Sequence, residues 1–220
     1  LWPFLETIKF ALINYIRSKD RIQLKKYYFT SYWRQYKRLP LKSYERDSIP
    51  KTDFIFFISS LWKNEAQTNK MRANFILACK ELEEINFEGG FAPRSDNNDL
   101  GFTDLIDERI PPKKYLKKIK ESVMVFNTPA VQNCHGWKLA EFLALGKAVI
   151  STAYLNELFV SLEHGIHLNY VSDSKEEMKK AILKILKEQE YREKLEQKSK
   201  DYFSKNLAPQ IVVKRVIDHL

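Results

Sequence analysis

"NCHGWKLAEFLALGKAVIST", residues 133–152, decides how the chain is read. Leu139, Phe142 and Leu143 recur at helical spacing, Gly146 stops the run, and "AVIS" has the length and composition of a buried strand. Just upstream, "VMVF" (123–126) reads as another buried strand. Strand, loop, helix and strand in that order form one unit of a parallel α/β sheet. The helix start carries the chemistry: its first N–H groups have no partner within the helix and the macrodipole is positive there, so it suits a phosphate. Gly136 lets a ligand come close to the backbone, and Lys138 adds a point charge in the first turn. Glu141, on the far side from Leu139 and Leu143, is an acceptor one turn in, placed to take hydrogen bonds from a ribose diol. A plainer reading pairs Glu141 with Lys138 at i, i+3 as a surface ion pair.

Working outward, the same alternation continues. "DFIFFIS" (53–59) predicts a strand. "TNKMRANFILACKELEE" (68–84) predicts a helix with Met71, Phe75, Ile76, Cys79 and Leu82 inward. "INFEGG" (85–90) predicts a strand ending at its glycines. Residues 91–111 are loop-like, "KKYLKKIKES" (113–122) is a short basic helix, and "IHLNYV" (166–171) is a strand. Helices follow at 174–188, 189–204 and near 208–219. The fold class is α/β, a Rossmann-like doubly wound parallel sheet with an N-terminal helical extension. Ligands of such sheets sit outside the carboxyl ends of the strands, which selects the loops 59–68, 89–94 and 127–136.

Bulk composition excludes several classes. Hydrophobic residues make up 44% of the 220, enough for a globular core. No stretch approaches the roughly 18 apolar residues of a membrane span, and no signal-peptide pattern is present. The chain begins at Leu1 rather than Met, which predicts native sequence ahead of it. Cys79 and Cys134 have no CxxC spacing and no neighbouring histidine cluster, so they read as thiols in a reducing compartment rather than a disulfide or a zinc site. The net charge of +9 is concentrated: residues 1–50 hold 11 Lys/Arg against 4 Asp/Glu. In 1–38, Ile8, Leu12 and Ile16 follow Phe4 at i, i+4 steps, and Lys/Arg alternate with Tyr and Trp behind them. That stretch reads as packing of a partial domain or as contact with an anionic membrane surface; no nucleic-acid motif accompanies the charge.

The run "SVMVFNTPAVQNCHGWKLAEFLALGKAVIST" (122–152) resembles the signature region of retaining glycosyltransferases with the GT-B fold. It is most similar to group 1 sugar transferases of bacterial capsule and surface-polysaccharide clusters. The family carries two glutamates eight positions apart, with a glycine three after the first; the second binds the nucleotide ribose and the first the donor sugar. Matched without gaps, Glu141 takes the second place, Gly136 the glycine, and Asn133 stands where the first glutamate belongs. "SSLWKNEAQTNKMR" (59–72) occupies the place of the family's diphosphate-binding basic residue, with Lys63 and Arg72 as candidates; the alternatives are a solvated loop lysine and a surface charge on a helix. The resemblance covers residue 50 to the end. It implies a nucleotide-sugar-binding domain over 51–220, with 1–50 as linker and remnant of an acceptor domain. Asn133 and His135 become the catalytic candidates. Lys63, Arg72, Arg94, Asn127, Thr128, Gly136, Trp137, Lys138 and Glu141 become the nucleotide-sugar contacts, Trp137 having packing as its alternative role. His164 and His167 read as structural. The implied donor is a nucleoside diphosphate sugar and the acceptor a glycan or lipid-linked glycan. No metal or other cofactor is implied, and no Asp-x-Asp pair is present. The implied location is cytoplasmic, peripheral at the inner membrane through 1–38. The rivals are a non-catalytic module that binds a nucleotide or a membrane, and a nucleotide-sugar epimerase of the same architecture.

Overall fold

The computed structural model describes residues 8, 9, 12, 13, 16, 17, 30, 38–45 and 50–218. The chain divides into two units, Leu1–Ser43 and Tyr44–Leu220. In the first, residues 8, 9, 12, 13, 16, 17 and 30 are helical, as the spacing of Ile8, Leu12 and Ile16 predicts. Phe4 and most of the basic–aromatic stretch, on which the membrane reading rests, lie outside the described residues.

The described residues of the second unit hold five parallel strands. β1 (Phe54–Ser60) pairs with β2 (Asn86–Ala92), Phe57 opposite Gly89. β3 (Met124–Asn127) pairs with β4 (Ala148–Thr152), and β4 with β5 (Asn169–Val171). β1 and β3 lie side by side: Val123 N donates to Phe54 O (2.8 Å), and Phe56 N donates to Ser122 Oγ (3.0 Å). The Ser122 hydroxyl donates in turn to Met124 O (2.5 Å). A serine side chain thus takes a rung where backbone would otherwise pair, and the strand order is β2-β1-β3-β4-β5.

Helices α1 (Ala66–Lys80), α2 (Pro112–Glu121), α3 (Trp137–Ala144), α4 (Lys175–Lys187), α5 (Gln189–Tyr202) and α6 (Pro209–Asp218) flank the strands. The strands read as continuous apolar runs because both faces are covered; β1 is buried from Phe54 to Ser59. α1 and α4 share one core with Ile55, Phe57, Met124, Phe126 and Ile150. Tyr115 of α2 meets Phe56 edge-on at 6.1 Å. Beneath the carboxyl ends of β1 and β3, Phe75 and Phe126 stack at 4.1 Å, and Phe57 stands edge-on to both at 5.4 and 5.6 Å. That aromatic wedge is the rigid base of the site described next.

Three sequence expectations change, the strand expected over 166–171 being only Asn169–Val171. β2 runs through its glycines to Ala92 instead of ending at them, because Gly89 (φ +121°) lies so close to β1 that a Cβ there would sit 1.8 Å from Phe57 O. The helix expected over 189–204 stops at Tyr202 and continues as a π turn, Phe203–Leu207.

Candidate functional site

Where the order reverses, between β1 and β3, the two strands send their chains in opposite directions and leave a crevice. A pocket of about 130 Å³ opens there, lined by Ser59 and Ser60 of β1, by Asn127 at the end of β3 and Thr128 after it, and by Gly136 and Lys138 at the start of α3. Trp62, Arg72 and Trp137 line it too.

Arg72 crosses under this pocket from α1. It is 8% exposed. Its Nε donates to Thr128 Oγ1 (3.0 Å), Nη1 to Ser60 O (3.0 Å) and Nη2 to Pro129 O (3.5 Å). The guanidinium ties together the ends of β1 and β3. Every acceptor is neutral, and no carboxylate lies within ion-pair distance of it among the described residues. Burial lowers its pKa to about 10, with Glu65 pulling the other way, so it stays cationic at neutral pH. The reading of Arg72 as a surface charge on a helix is therefore corrected: α1 turns it inward.

α3 is preceded by Gly136, whose backbone is extended (φ −72°, ψ 146°) and which provides no side-chain cap. Leu139 N donates to Gly136 O, while the N–H groups of Trp137 and Lys138 have no acceptor among the described residues. A Cβ at Gly136 would meet only Ala130 Cβ, at 3.6 Å. The fold therefore does not demand glycine there. Lys138 turns back under the pocket, its Nζ donating to Ile58 O (2.6 Å), 5.9 Å from the Phe57 ring and 5.6 Å from the Tyr115 ring. Burial and the charge of Arg72 bring its pKa down to about 7, against the opposing effect of Glu141.

Glu141 is not in the pocket wall. Tyr44 Oη donates to its Oε1, and Oε2 is buried without a partner. Burial raises the carboxyl to about 7, with the Tyr44 hydrogen bond and Lys138 opposing. The surface ion pair with Lys138 does not form: each side chain has a different partner.

Asn133 and His135 lie on the loop entering α3. Gln132 (φ 56°) and Asn133 (φ 58°) are successive left-handed residues, a costly arrangement for side chains with a Cβ. It is held by Gln132 N donating to Glu65 Oε1 (2.8 Å), Asn156 Nδ2 to Asn133 O (3.0 Å) and Ala130 N to Cys134 O (2.8 Å). The Asn133 side chain is exposed. The His135 ring lies 4.9 Å from that of Tyr154, and both its nitrogens are buried without partners. Asn127 Nδ2 and Ser151 Oγ both donate to Tyr154 Oη.

The structure brings Arg72, Asn127, Thr128, Gly136, Trp137 and Lys138 around one pocket. Lys63 is exposed on the loop after β1 and away from the wall. Arg94 is engaged, bonded twice to Asp96 (2.8 and 2.6 Å) and once to Leu61 O (2.9 Å). Trp137, whose alternative role was packing, is 67% exposed. His164 and His167 are structural, their Nδ1 atoms accepting from Tyr170 N and Glu163 N. Sequence reading missed Trp62, Tyr44 and Tyr154, which no spacing distinguishes.

No protein-family model and no curated protein matches the sequence. Solved structures do. HepE of Anabaena, in complex with UDP and glucose, has a TM-score of 0.58 at 12% identity, over 82% of this chain and 54% of its own. Sucrose-phosphate synthase of Thermosynechococcus elongatus has a TM-score of 0.55 at 12% identity, over 84% and 46%. TarM gives 0.54 at 12%, over 77% and 35%. The chain has the Rossmann-like fold of the GT-B proteins. It spans about a third to a half of the length of these three structures. Among the described residues no helix is long and apolar enough to cross a membrane.

Proposed function

We propose that this chain is the donor-binding half of a glycosyltransferase that takes a sugar, with retention, from a nucleoside diphosphate sugar to a growing surface glycan. One observation carries the reading: an arginine that is buried and, among the described residues, has no carboxylate partner converges with helix-start amides, which have no acceptor among those residues, on one pocket at the switch point of a GT-B-type sheet. Such a pocket suits a diphosphate. As the glycosidic bond to phosphate breaks, negative charge grows on the leaving diphosphate, and Arg72, Lys138 and the amides of Trp137 and Lys138 are placed to stabilise it. On this reading Glu141, which stands outside the pocket wall with Tyr44 on its Oε1, takes the ribose hydroxyls by exchanging that bond for theirs, and Asn133 and His135 take the sugar. HepE, of the same fold, was solved with UDP-glucose, which supports a nucleotide sugar as donor.

Thermal shift and calorimetry with UDP, GDP, ADP, CDP and dTDP test it. On that reading Glu141→Ala weakens the nucleotide that binds by about tenfold or more, the loss of about one hydrogen bond to an ionised acceptor. Equal affinity of the variant and the wild type contradicts the ribose assignment.

Asn133 favours a second reading. An exposed, uncharged amide stands where the resembled family has a glutamate, which suits a module that binds the donor without turning it over. Transfer or epimerisation of a sugar nucleotide by the full-length protein separates the readings. Contact of residues 1–38 with anionic membranes belongs to the same proposal; flotation on anionic vesicles, lost when those residues are deleted, is its test.

A further inference from the structure

We infer that Trp62 and Trp137 form an aromatic clamp over the pocket, built to hold a flat-faced ring carried on a phosphate. The inference rests on the reading of the pocket as a phosphate site. Both tryptophans line that pocket, one from the loop after β1 and the other from the first residue of α3. Trp62 is 41% exposed and Trp137 67%, and neither indole stacks on another ring among the described residues. Two large apolar faces are thus left in water at the mouth of a pocket whose floor is cationic.

The loop that presents Trp62 is fixed. Trp62 N donates to Asn69 Oδ1 (3.1 Å), and Asn69 Nδ2 donates to Trp62 O (2.8 Å). Both ends of one carboxamide are used on one residue, and Asn69 itself is 2% exposed. The preceding residue, Leu61, is buried, and Arg94 holds its carbonyl. Trp137 is fixed by the helix it begins. The backbone is organised and the indoles are not covered, which is the arrangement of a binding surface whose conformational cost is met before the ligand arrives. Aromatic side chains stack on ring faces and tolerate variety in the ring.

The shared chemistry is a ring linked to phosphate, with two sources: the nucleobase side or the sugar side of a donor. Titrating the 220-residue chain with pyrophosphate, glucose 1-phosphate, UMP and UDP-glucose, followed by calorimetry and tryptophan fluorescence, distinguishes them. Trp62→Ala and Trp137→Ala are expected to weaken UDP-glucose by about five- to a hundredfold, the range one stacked ring spans. Pyrophosphate affinity stays unchanged. Loss with glucose 1-phosphate assigns the clamp to the sugar; loss with UMP assigns it to the base. Trp62→Phe and Trp137→Phe, which keep a ring, recover most of the affinity. Unchanged affinity for every ringed ligand, or an equal loss for pyrophosphate, overturns the clamp while leaving the phosphate site standing. If the wild type binds none of the four, the phosphate site fails and the clamp with it.

Discussion

Arg72 and Gly136 carry the argument at the scale of single residues. A guanidinium taken out of water without a carboxylate is costly even when its donors are filled by carbonyls, and Arg72 bears that cost at the place where an anion is expected. Gly136 offers a cleaner test. Its φ suits any residue and a Cβ fits against Ala130, so Gly136→Ala changes stability by about 1 kcal/mol or less. The methyl group stands over the free amides, and diphosphate affinity falls by about tenfold or more. An alanine variant that binds as well as the wild type contradicts the approach over α3. Glu141 and Lys138 together shape the pH dependence. Glu141 ionises near 4.5 when unfolded and near 7 when folded. Between those values the folded chain holds a proton the unfolded one lacks, so stability falls as pH rises. Lys138 sits near 7 folded against 10.5; from 7 upward the unfolded chain holds the extra proton, and stability rises. Denaturant titrations across pH are expected to show a shallow minimum near 7. Glu141→Gln removes the falling limb and gains of order 1–2 kcal/mol at pH 7 to 8 relative to pH 5; a variant with the wild-type profile contradicts the buried carboxylate. The residue types at this site were legible in the sequence, but their partners were not. Arg72 stands three and four positions before Phe75 and Ile76, on the buried face of α1, but a charged side chain on that face reads as a surface group from sequence; and no spacing tells that Tyr44, 97 positions away, reaches Glu141.

Elements follow the sequence more closely, since each is specified by neighbours. α3 ends where Gly146 predicts: Gly146 (φ +59°) donates to Leu143 O and Lys147 N to Phe142 O, a Schellman closure. Lys147 then buries its ammonium against the carbonyls of Lys120 and Ser122, anchoring β4 to the end of α2. Gly146→Ala is expected to cost about 1–2 kcal/mol, because the left-handed backbone is strained for alanine and its Cβ meets Glu196 O and Lys200 Cβ at 3.2 and 3.3 Å. Unchanged melting of that variant contradicts the assignment. α4 was equally readable: Ser174 Oγ accepts from Glu177 N, and Glu177 reaches back to Ser172 N, an S-x-x-E signature. β2 was misjudged because glycine reads as a stop from sequence, while here it admits the close approach of β1. β5, three residues long, was overextended because "IHL" is apolar for a different reason: Ile166 and His167 belong to a turn on Glu163.

At the scale of the molecule, the alternation of strands and helices fixes the class but not the order of strands, since the β1–β3 neighbourhood depends on the Ser122 hydroxyl and on contacts far apart in sequence. That neighbourhood creates the pocket, and the pocket is the account's central claim. A ligand that binds only the folded chain stabilises it by about 2.7 kcal/mol at a hundred times its dissociation constant, so the whole unit melts later when the right nucleotide is present. The most direct measurement is a calorimetric titration of the wild-type chain with UDP, GDP, ADP, CDP and dTDP, repeated in excess pyrophosphate. The account predicts saturable one-to-one binding of at least one nucleoside diphosphate, displaced by pyrophosphate because both use the pocket at Arg72 and Gly136. No heat from any of the five, or binding that pyrophosphate leaves untouched, would contradict it.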